Sequence, residues 1–382
     1  MRRRIVYLIL AFINYIIYFC KIQNDKITFI SYKSEKLEKD FKLISKKLEN
    51  DNKYKLVYIL TKYQNTTIGN IKYLFNCIKQ VYHINTSKVV ILDYNNFVVS
   101  HFKKEGVKVL QIWHASGAIK KFGNDIKREY PIKNYDYVIS AGNHWREIYS
   151  NAFNVSKDNV LPLGIPRTDS LFSTNKLDKY KKKTLEKYPE IKGKKVILYA
   201  PTFRGDPIND VKYQPINLKY IKDRLGDGYV LIYKLHPWLN TVNITDDENI
   251  INGNNDGIRK LFSVTNYLIC DYSAVIFDFS ILEKPMIFYT PDLDEYKKDR
   301  GMYEEYEEIM PGPICKTEEE IVDIIKNNKF PIDKIKAFKD KHFDYKDGKS
   351  AQRVSEFIKN LIWEKESVKL IWKNSLIFHR IA

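Results

Sequence analysis

The sequence predicts an α/β protein in which two doubly wound, parallel-sheet domains face each other across a cleft. Short runs of β-branched and aromatic residues alternate with stretches of helical periodicity, a pattern typical of parallel strands joined by crossover helices. A charged segment with few large apolar residues, 173–195, separates two such sets and is expected to be a linker. The length of 382 residues also exceeds what one hydrophobic core usually organises.

The first set contains six strand candidates, expected at residues 27–32, 56–60, 89–92, 109–113, 137–140 and 160–163. Helices are expected at 34–48, where apolar side chains recur near helical spacing, and at 144–153. Parallel strands need such crossover segments between them. Residues 23–172 are therefore expected to form an N-terminal α/β domain.

The second set is expected to form a C-terminal α/β domain over residues 190–345. Its strands are expected at 196–200, 230–235, 267–270 and 286–289, and its helices at 258–263, 274–282 and 318–326. A helical segment follows at 346–382, with a helix at 350–362 and a basic, aromatic end at 368–382 that either returns to the first domain or touches lipid. The whole arrangement is similar to the GT-B architecture of nucleotide-dependent glycosyltransferases, whose ligands bind at the carboxyl ends of the strands.

The charge balance favours an anionic partner. Lys and Arg number 64 against 47 Asp and Glu, a formal net charge of +17. Nucleic acid, anionic lipid and a phosphorylated substrate all fit this charge, as does a merely solubilising basic surface. Four scattered cysteines without a C-x-x-C pair indicate neither a disulfide framework nor a zinc site, which fits a reducing cytoplasm.

The N-terminus combines basic and apolar residues. Arg2, Arg3 and Arg4 precede a mostly apolar run at residues 5–20, shorter than the about 20 residues that span a bilayer. Arginines ahead of an apolar helix suit the cytoplasmic leaflet. Residues 1–22 are therefore expected to form a membrane-associating segment; the alternative is a buried first helix.

A histidine leaves the predicted strand 109–113 at its carboxyl end. This residue is His114, and a free imidazole has a pKa of about 6.5, which suits proton abstraction from a hydroxyl near neutral pH. Ser116 and Gly117 would turn backbone amides toward an anion, and Lys120 and Lys121 would add positive charge. A lone histidine is equally compatible with a structural role.

A second histidine, His236, follows the strand 230–235 and is fixed by the next residue, a proline. Lys234 lies two positions earlier, so both side chains are expected on one face of the strand, as a phosphate clamp. A packed histidine and a salt-bridged lysine explain the same pattern.

Further polar residues follow other strands of the predicted domains. Asp271 directly follows the strand 267–270. Ser273 is expected to cap the next helix, where free amides could bind a diphosphate. Thr202 and Arg204 offer a hydroxyl and a guanidinium for phosphate, and Arg167 lies just before the predicted linker. Each arginine could instead form a surface ion pair.

Several common motifs are absent from the sequence: G-x-x-x-x-G-K-[ST], G-x-G-x-x-G, H-E-x-x-H and G-x-S-x-G. A single D-x-D, at residues 292–294, is interpreted as a solvated acidic loop, and no metal site is expected.

Eight short segments, in order, resemble the CDP-glycerol glycerophosphotransferase family of teichoic acid synthesis. They cover roughly residues 100 to 330 and comprise 111–114, 164–169, 197–204, 234–237, 271–278, 284–289, 300–303 and 311–313. The resemblance implies the GT-B fold and attack by an acceptor hydroxyl on the β-phosphorus of CDP-glycerol, with release of CMP.

The resemblance also implies roles for individual residues. His114 becomes the candidate general base, and His236 stabilises the transferring phosphate. Arg204, Asp271 and Ser273 line the CDP side, and the segment 300–303 contributes Arg300 to substrate binding.

The implied partners are CDP-glycerol, a lipid-linked disaccharide and the anionic inner leaflet, with the protein at the cytoplasmic face of a bacterial membrane. The first domain would bind the acceptor, and no nucleic acid is expected. No cofactor is implied, although assistance by Mg²⁺ stays open.

One departure from the family pattern bears on the subgroup. Many polymerases carry His-Gly-Thr where this chain has His114, Ala115 and Ser116, which is more similar to the primase branch that adds one glycerophosphate to an undecaprenyl-diphosphate disaccharide. The alternatives are transfer of ribitol phosphate or capsular polyol phosphate, a GT-B nucleotide-sugar glycosyltransferase, and a non-catalytic protein that binds nucleic acid or membrane.

Overall fold

The computed structural model describes residues 2–63, 66–205, 211–239, 242–245 and 247–363. Its strands form two six-stranded sheets in which every pairing is parallel. This confirms the predicted fold class. The strands are β1 (Gln23–Ser31), β2 (Lys55–Leu60), β3 (Ser87–Leu92), β4 (Lys108–Ile112), β5 (Tyr137–Ile139), β6 (Val160–Leu161), β7 (Lys195–Tyr199), β8 (Tyr229–Tyr233), β9 (Ile251–Asn252), β10 (Tyr267–Cys270), β11 (Met286–Tyr289) and β12 (Ile314–Cys315).

The first sheet has the order β2-β1-β3-β4-β5-β6, and the second has the order β12-β11-β10-β7-β8-β9. Both sheets are covered by helices, so their central strands are buried runs of Val, Ile and Leu. The edge strands β9 and β12 have two residues each, too few to give a periodic signal, and sequence analysis missed them.

The helices lie between and around the strands. They are α1 (Arg2–Ile17), α2 (Lys39–Glu49), α3 (Thr67–Asn85), α4 (Phe97–Phe102), α5 (Arg146–Phe153), α6 (Thr174–Lys187), α7 (Leu218–Leu225), α8 (Ile258–Val264), α9 (Val275–Ser280), α10 (Leu293–Arg300), α11 (Tyr306–Ile309), α12 (Glu318–Asn327), α13 (Ile332–His342) and α14 (Ser350–Trp363).

The segment 173–195, expected to be a linker, lies between the strands of the two sheets and contains helix α6. This helix packs against α8 and buries Thr184, whose hydroxyl also bonds the carbonyl of Lys260. Most of its surface is polar and exposed, so the apolar periodicity that predicts helices was missing.

Helix α14 packs on α2 and β3 of the first sheet, so the end of the described chain returns to the first half of the molecule. Both carboxylate oxygens of Asp169 accept hydrogen bonds at the start of this helix, from the amides of Ser350 at 2.8 Å and Ala351 at 2.9 Å. Residues 368–382, for which a second helix or a lipid contact was expected, lie outside the described residues.

Helix α1 packs on α3 through one side while the other side faces solvent. Leu10 is fully buried, whereas a set of large apolar side chains is exposed: Ile5, Leu8, Phe12, Tyr15 and Ile16. Helix α1 is therefore packed on the first domain through one side and exposes apolar side chains on the other. Among the described residues, no helix is both long enough and apolar enough to cross a bilayer.

Candidate functional site

His114 lies directly beyond the carboxyl end of β4, between aromatic neighbours. Its ring stacks on Tyr94 with centroids 4.5 Å apart and an interplanar angle of 10°, and it contacts the ring of Trp113 at 3.8 Å. Tyr94 follows β3, the neighbouring strand, so two adjacent strand ends hold the imidazole in place. The sequence placed this histidine at the correct edge of the sheet.

The pKa of His114 is well below its ordinary value. Desolvation by the surrounding protein is the main cause, although the residue keeps an exposed side in the cleft, and the charges of Lys33 and Arg167 act in the same direction. A hydrogen bond to the backbone of Asp93 opposes the shift. The imidazole is therefore neutral at pH 7 and able to accept a proton.

A basic pocket opens beside His114, in the turn between β1 and α2. It is lined by Lys33, Lys36 and Lys39, together with Asp93 and His114. Desolvation is the main cause that lowers the pKa of Lys33 to about 8, even though part of the side chain is exposed to solvent. Sequence analysis missed these lysines; their spacing of three residues directly after a strand was the available signal.

His236 follows β8 of the second sheet, and its ring orientation is fixed by the backbone. Its Nδ1 accepts a hydrogen bond from the amide of Trp238 at 3.3 Å, which leaves the proton of the neutral ring on Nε2. Desolvation lowers the pKa of His236 to about 4, and Lys33 and Lys120 contribute. The ring is thus a neutral hydrogen-bond donor at pH 7.

Lys33 is the group that connects the two histidines. Its charge lowers the pKa of His114, which belongs to the first sheet, and also that of His236, which belongs to the second. The ammonium is therefore within electrostatic reach of both imidazoles, each of which follows a strand of a different sheet. We call this set, His114, Lys33, His236 and Lys120, the cleft residues.

Of the two lysines expected to add positive charge after His114, Lys120 is one of the cleft residues and Lys121 is not. Lys120 lies over the rings of Phe203 and Tyr296, and its charge acts on His236 and Asp271. Lys121 is exposed, and its amide donates to the carbonyl of Gly301. The one-residue alternation of this extended segment, paired with Met302, decides which lysine points inward.

Arg204 lies at the end of β7 as predicted, but it is an internal ion-pair partner. Its Nε and Nη2 donate to Asp292 at 2.5 Å and 3.1 Å, and its Nη1 donates to Asp271 at 2.7 Å. Asp271 also accepts the amide of Thr202 at 2.8 Å. Burial raises the pKa of Asp271, and Arg204 opposes that rise.

This cluster corrects two expectations. The guanidinium of Arg204 already bonds two carboxylates, so it does not present a free fork to a phosphate. Asp292, expected in a solvated acidic loop, is mostly buried against Arg204 and also accepts a hydrogen bond from the hydroxyl of Tyr272.

Arg167 is buried beneath the His114 turn. Its Nη1 donates to Asp40 Oδ2 at 2.5 Å, and both terminal nitrogens approach the carbonyl of Trp113 at 3.3 Å. The carboxylate of Asp40 raises the pKa of Arg167 against the effect of burial. The residue borders the basic pocket, but its hydrogen bonds hold the strand end that carries His114.

The residues predicted to cradle an anion after His114 instead join the two halves. The hydroxyl of Ser116 donates to Asp278 Oδ1 at 2.5 Å. A Cβ on Gly117 would lie 2.4 Å from Trp145 and 2.8 Å from Phe277, so glycine is needed there for close packing. These contacts fix the position of one half on the other.

The remaining predicted residues lie near the cleft in the second half. Lys234 Nζ donates to the carbonyl of Asn254 at 2.9 Å, and desolvation lowers its pKa. Ser273 is not the helix cap, which is Ala274, although its hydroxyl accepts the amide of Val275 at 3.4 Å. Arg300 ends α10, and its side chain lies outside the described part of the structure.

The chain is similar to enzymes of teichoic acid synthesis. A family model described as CDP-glycerol:poly(glycerophosphate) glycerophosphotransferase matches residues 12–360. The teichoic acid ribitol-phosphate primase of Bacillus spizizenii is 34% identical over 360 residues, covering 89% of this chain and 92% of that protein. The teichoic acid glycerol-phosphate primase of Bacillus subtilis is 36% identical over 305 residues, covering 75% of this chain and 77% of its own length.

A solved structure shares the fold. The wall teichoic acid polymerase TagF superposes with a TM-score of 0.74 at 24% identity, covering 94% of this chain and 95% of the solved chain. At this identity the likeness concerns the fold.

Proposed function

The chain belongs to the CDP-glycerol:poly(glycerophosphate) glycerophosphotransferase family, and from this premise we propose that it transfers glycerol phosphate from CDP-glycerol to a hydroxyl of a lipid-linked saccharide in teichoic acid synthesis. The observation that carries the proposal is the pair of neutral imidazoles, one from each half, that share Lys33. The similarity to a glycerol-phosphate primase favours addition of a first unit.

The proposed reaction forms a bond between the acceptor oxygen and the β-phosphorus of CDP-glycerol. The bond from that phosphorus to the oxygen bridging the two phosphates breaks, and CMP leaves with the electron pair. The hydroxyl proton passes to the neutral ring of His114. The other groups position the donor and neutralise charge, which is the main requirement of phosphoryl transfer.

His236 and two lysines supply that neutralisation in the proposal. The Nε2–H of His236 is free of the backbone contact made by Nδ1 and would donate to an oxygen of the transferring phosphate. Lys33 and Lys120 would flank the pyrophosphate; both come from the first half, and Lys120 reaches the rings of Phe203 and Tyr296 in the second half. A bound dianion would offset their charges and thereby raise the pKa of both imidazoles, which strengthens His114 as a base when the donor is present.

Direct product analysis tests the proposal. The purified protein is incubated with CDP-glycerol and a synthetic undecaprenyl-diphosphate disaccharide, and the products are identified by mass spectrometry. We expect an acceptor heavier by one glycerophosphate and one CMP per transfer. A shift in thermal stability with UDP-sugars but not with CDP-glycerol would overturn the proposal in favour of a sugar transferase.

Ribitol phosphate is the second candidate for the transferred group. The similarity to a ribitol-phosphate primase, which extends over 89% of this chain, favours it specifically. Parallel reactions with CDP-ribitol on an acceptor with and without a first glycerophosphate distinguish the two. Preference for CDP-ribitol on the primed acceptor would replace glycerol by ribitol in the proposed reaction.

We also propose that the outer side of α1 and α3 rests on the anionic inner leaflet. The exposed apolar residues of α1 adjoin another exposed set on α3, namely Ile68, Ile71 and Phe75. Arg4 and Lys72 are exposed on the same helices and suit anionic headgroups. Together they would place the cleft near a lipid-linked acceptor.

Co-sedimentation with vesicles tests this orientation. Vesicles containing phosphatidylglycerol should bind the protein but should not bind the double variant Phe12→Ser, Phe75→Ser. The thermal stability of this variant should equal that of the natural chain. Equal retention of the variant would exclude this surface.

A further inference from the structure

Three side chains of the kinds that bind metal ions meet where the two halves join. His144 lies in the 3-10 turn Asn143–Trp145 ahead of α5, Glu304 lies between α10 and α11, and His342 ends α13. One ligand atom of each residue lies within 4.8 Å of the others. They are far apart in sequence, so no motif could reveal them, and the proposed transfer reaction does not use them.

Two of the three residues already have the second partner that metal ligands usually have. The Nδ1 of His342 lies 2.6 Å from the carbonyl of Phe338 and therefore carries the proton, leaving the lone pair on Nε2. The Oε2 of Glu304 accepts from Lys341 at 2.6 Å, leaving Oε1 for another contact. Such outer contacts orient metal ligands in known sites.

The third residue has a polar atom without an aligned partner. The Nε2 of His144 is 3.2 Å from Oε1 of Glu304, but within the described residues this buried atom makes no hydrogen bond of acceptable geometry. Buried polar atoms are rarely left this way unless an ion, a water or a function accounts for them. Here it faces the other two ligand atoms.

The cluster is held in a rigid aromatic setting. The indole of Trp145 stacks on the ring of His342 at 5.1 Å, and its Nε1 donates to the carbonyl of His342 at 3.2 Å. The rings of His144 and His342 meet edge to face at 4.8 Å. Because these contacts fix the rings, little ordering would be needed to bind an ion.

We propose that this cluster binds one divalent transition-metal ion, with Zn²⁺ preferred, through Nε2 of His144, Nε2 of His342 and Oε1 of Glu304. Two imidazoles and one carboxylate form a ligand set that suits Zn²⁺ better than Mg²⁺, which favours oxygen ligands. Three protein ligands leave a fourth position for water. The ammonium of Lys341 lowers the affinity but also fixes the carboxylate.

The proposed ion would link the two halves, because its ligands come from both. His144 comes from the first half, whereas Glu304 lies between β11 and β12 of the second sheet and His342 ends α13, which packs on α9 of the second half. Binding to the folded chain alone would stabilise the joined arrangement by mass action. The three ligands are far apart along the chain, so the expectation of no metal site did not take this cluster into account.

Titration of the full-length, chelator-treated protein with Co²⁺ tests the proposal. We expect one equivalent to bind, with the visible absorption of a four-coordinate site, and Zn²⁺ to displace it. The variants His144→Gln and Glu304→Gln should each weaken binding at least tenfold. Removal of His342, which is fully enclosed, risks unfolding, so the test rests on the other two residues.

Matched controls separate this site from other histidines. His101→Gln, on α4, and His236→Gln, in the cleft, should both retain the Co²⁺ signal. Zn²⁺ should raise the melting temperature of the natural chain but not of Glu304→Gln. The proposal fails if Co²⁺ gives no stoichiometric signal, or if His144→Gln binds as tightly as the natural chain.

Discussion

The cleft residues and the Arg204 cluster both lie at the carboxyl ends of parallel strands, but their charges are balanced differently. In the cleft, desolvation and neighbouring cations lower the pKa of His114, His236 and Lys33. In the cluster, Arg204 bonds the carboxylates of Asp271 and Asp292 directly. Cations outnumber carboxylates around His114 and can attract an anionic substrate, whereas the paired charges of the Arg204 cluster support the fold.

Among the variants of the two regions, His114→Ala should cause the largest loss, in kcat. Loss of a general base should lower kcat by about 10²- to 10⁴-fold with little change in thermal stability, because the ring borders an open cleft. Steady-state release of CMP measures it, and His101→Ala on α4 serves as the control. Ordinary turnover in His114→Ala would remove this residue from the mechanism.

For the Arg204 cluster, stability should respond most. Arg204→Ala leaves two enclosed carboxylates unpaired and should lower the free energy of unfolding by about 3–5 kcal/mol. Urea denaturation measures this loss. Arg146→Ala breaks an exposed pair with Asp158 and should cost less than about 1 kcal/mol. Similar losses in both variants would show that the cluster is not the internal support described above.

Lys33→Met should affect both binding and pH dependence. Loss of one charged contact to phosphate should lower kcat/KM about tenfold. Since Lys33 lowers the pKa of both histidines, its removal raises those pKa values, so protonation begins at a higher pH. The acid limb of the kcat/KM profile should therefore move to higher pH.

The basic side of the same profile gives a second test of Lys33. With a pKa of about 8, Lys33 loses its charge as the pH rises through that value, and the natural chain should bind CDP-glycerol less tightly above it. Lys33→Met should lack this change, whereas Lys42→Met, on the exposed side of α2, should behave as the natural chain does. If the acid limb of Lys33→Met stays at the pH of the natural chain, Lys33 does not act on the two histidines.

Ser116→Ala should give the smallest effect and distinguishes the two kinds of region. If Ser116 joins the halves through Asp278, its loss should lower the free energy of unfolding by about 1–2 kcal/mol and leave KM for CDP-glycerol unchanged. Thermal denaturation and donor titration measure the two quantities. A raised KM without loss of stability would return Ser116 to the anion-binding role that its sequence context indicated.

Local sequence was sufficient where a residue's role follows from its position on a strand. The parallel sheets, His114 after β4 and His236 after β8 were all readable, because buried strands are short apolar runs and their ends are marked by polar residues. The strands β10 and β11 begin and end at the expected residues. Helix α6 was missed because its polar surface gives no apolar period.

Other features depend on residues that are distant in the chain. Arg204 and Asp292 are 88 positions apart, and His144 and His342 belong to different halves, so no local pattern could show that they meet. Likewise, Lys33 was assigned no role until the turn after β1 was placed beside both histidines. Sequence alone determined the fold class and the strand ends that carry the imidazoles, because backbone periodicity and burial are local properties. Tertiary structure alone decided which charges are neutralised and which face the cleft, because the Coulomb energy depends on distance in space and on desolvation.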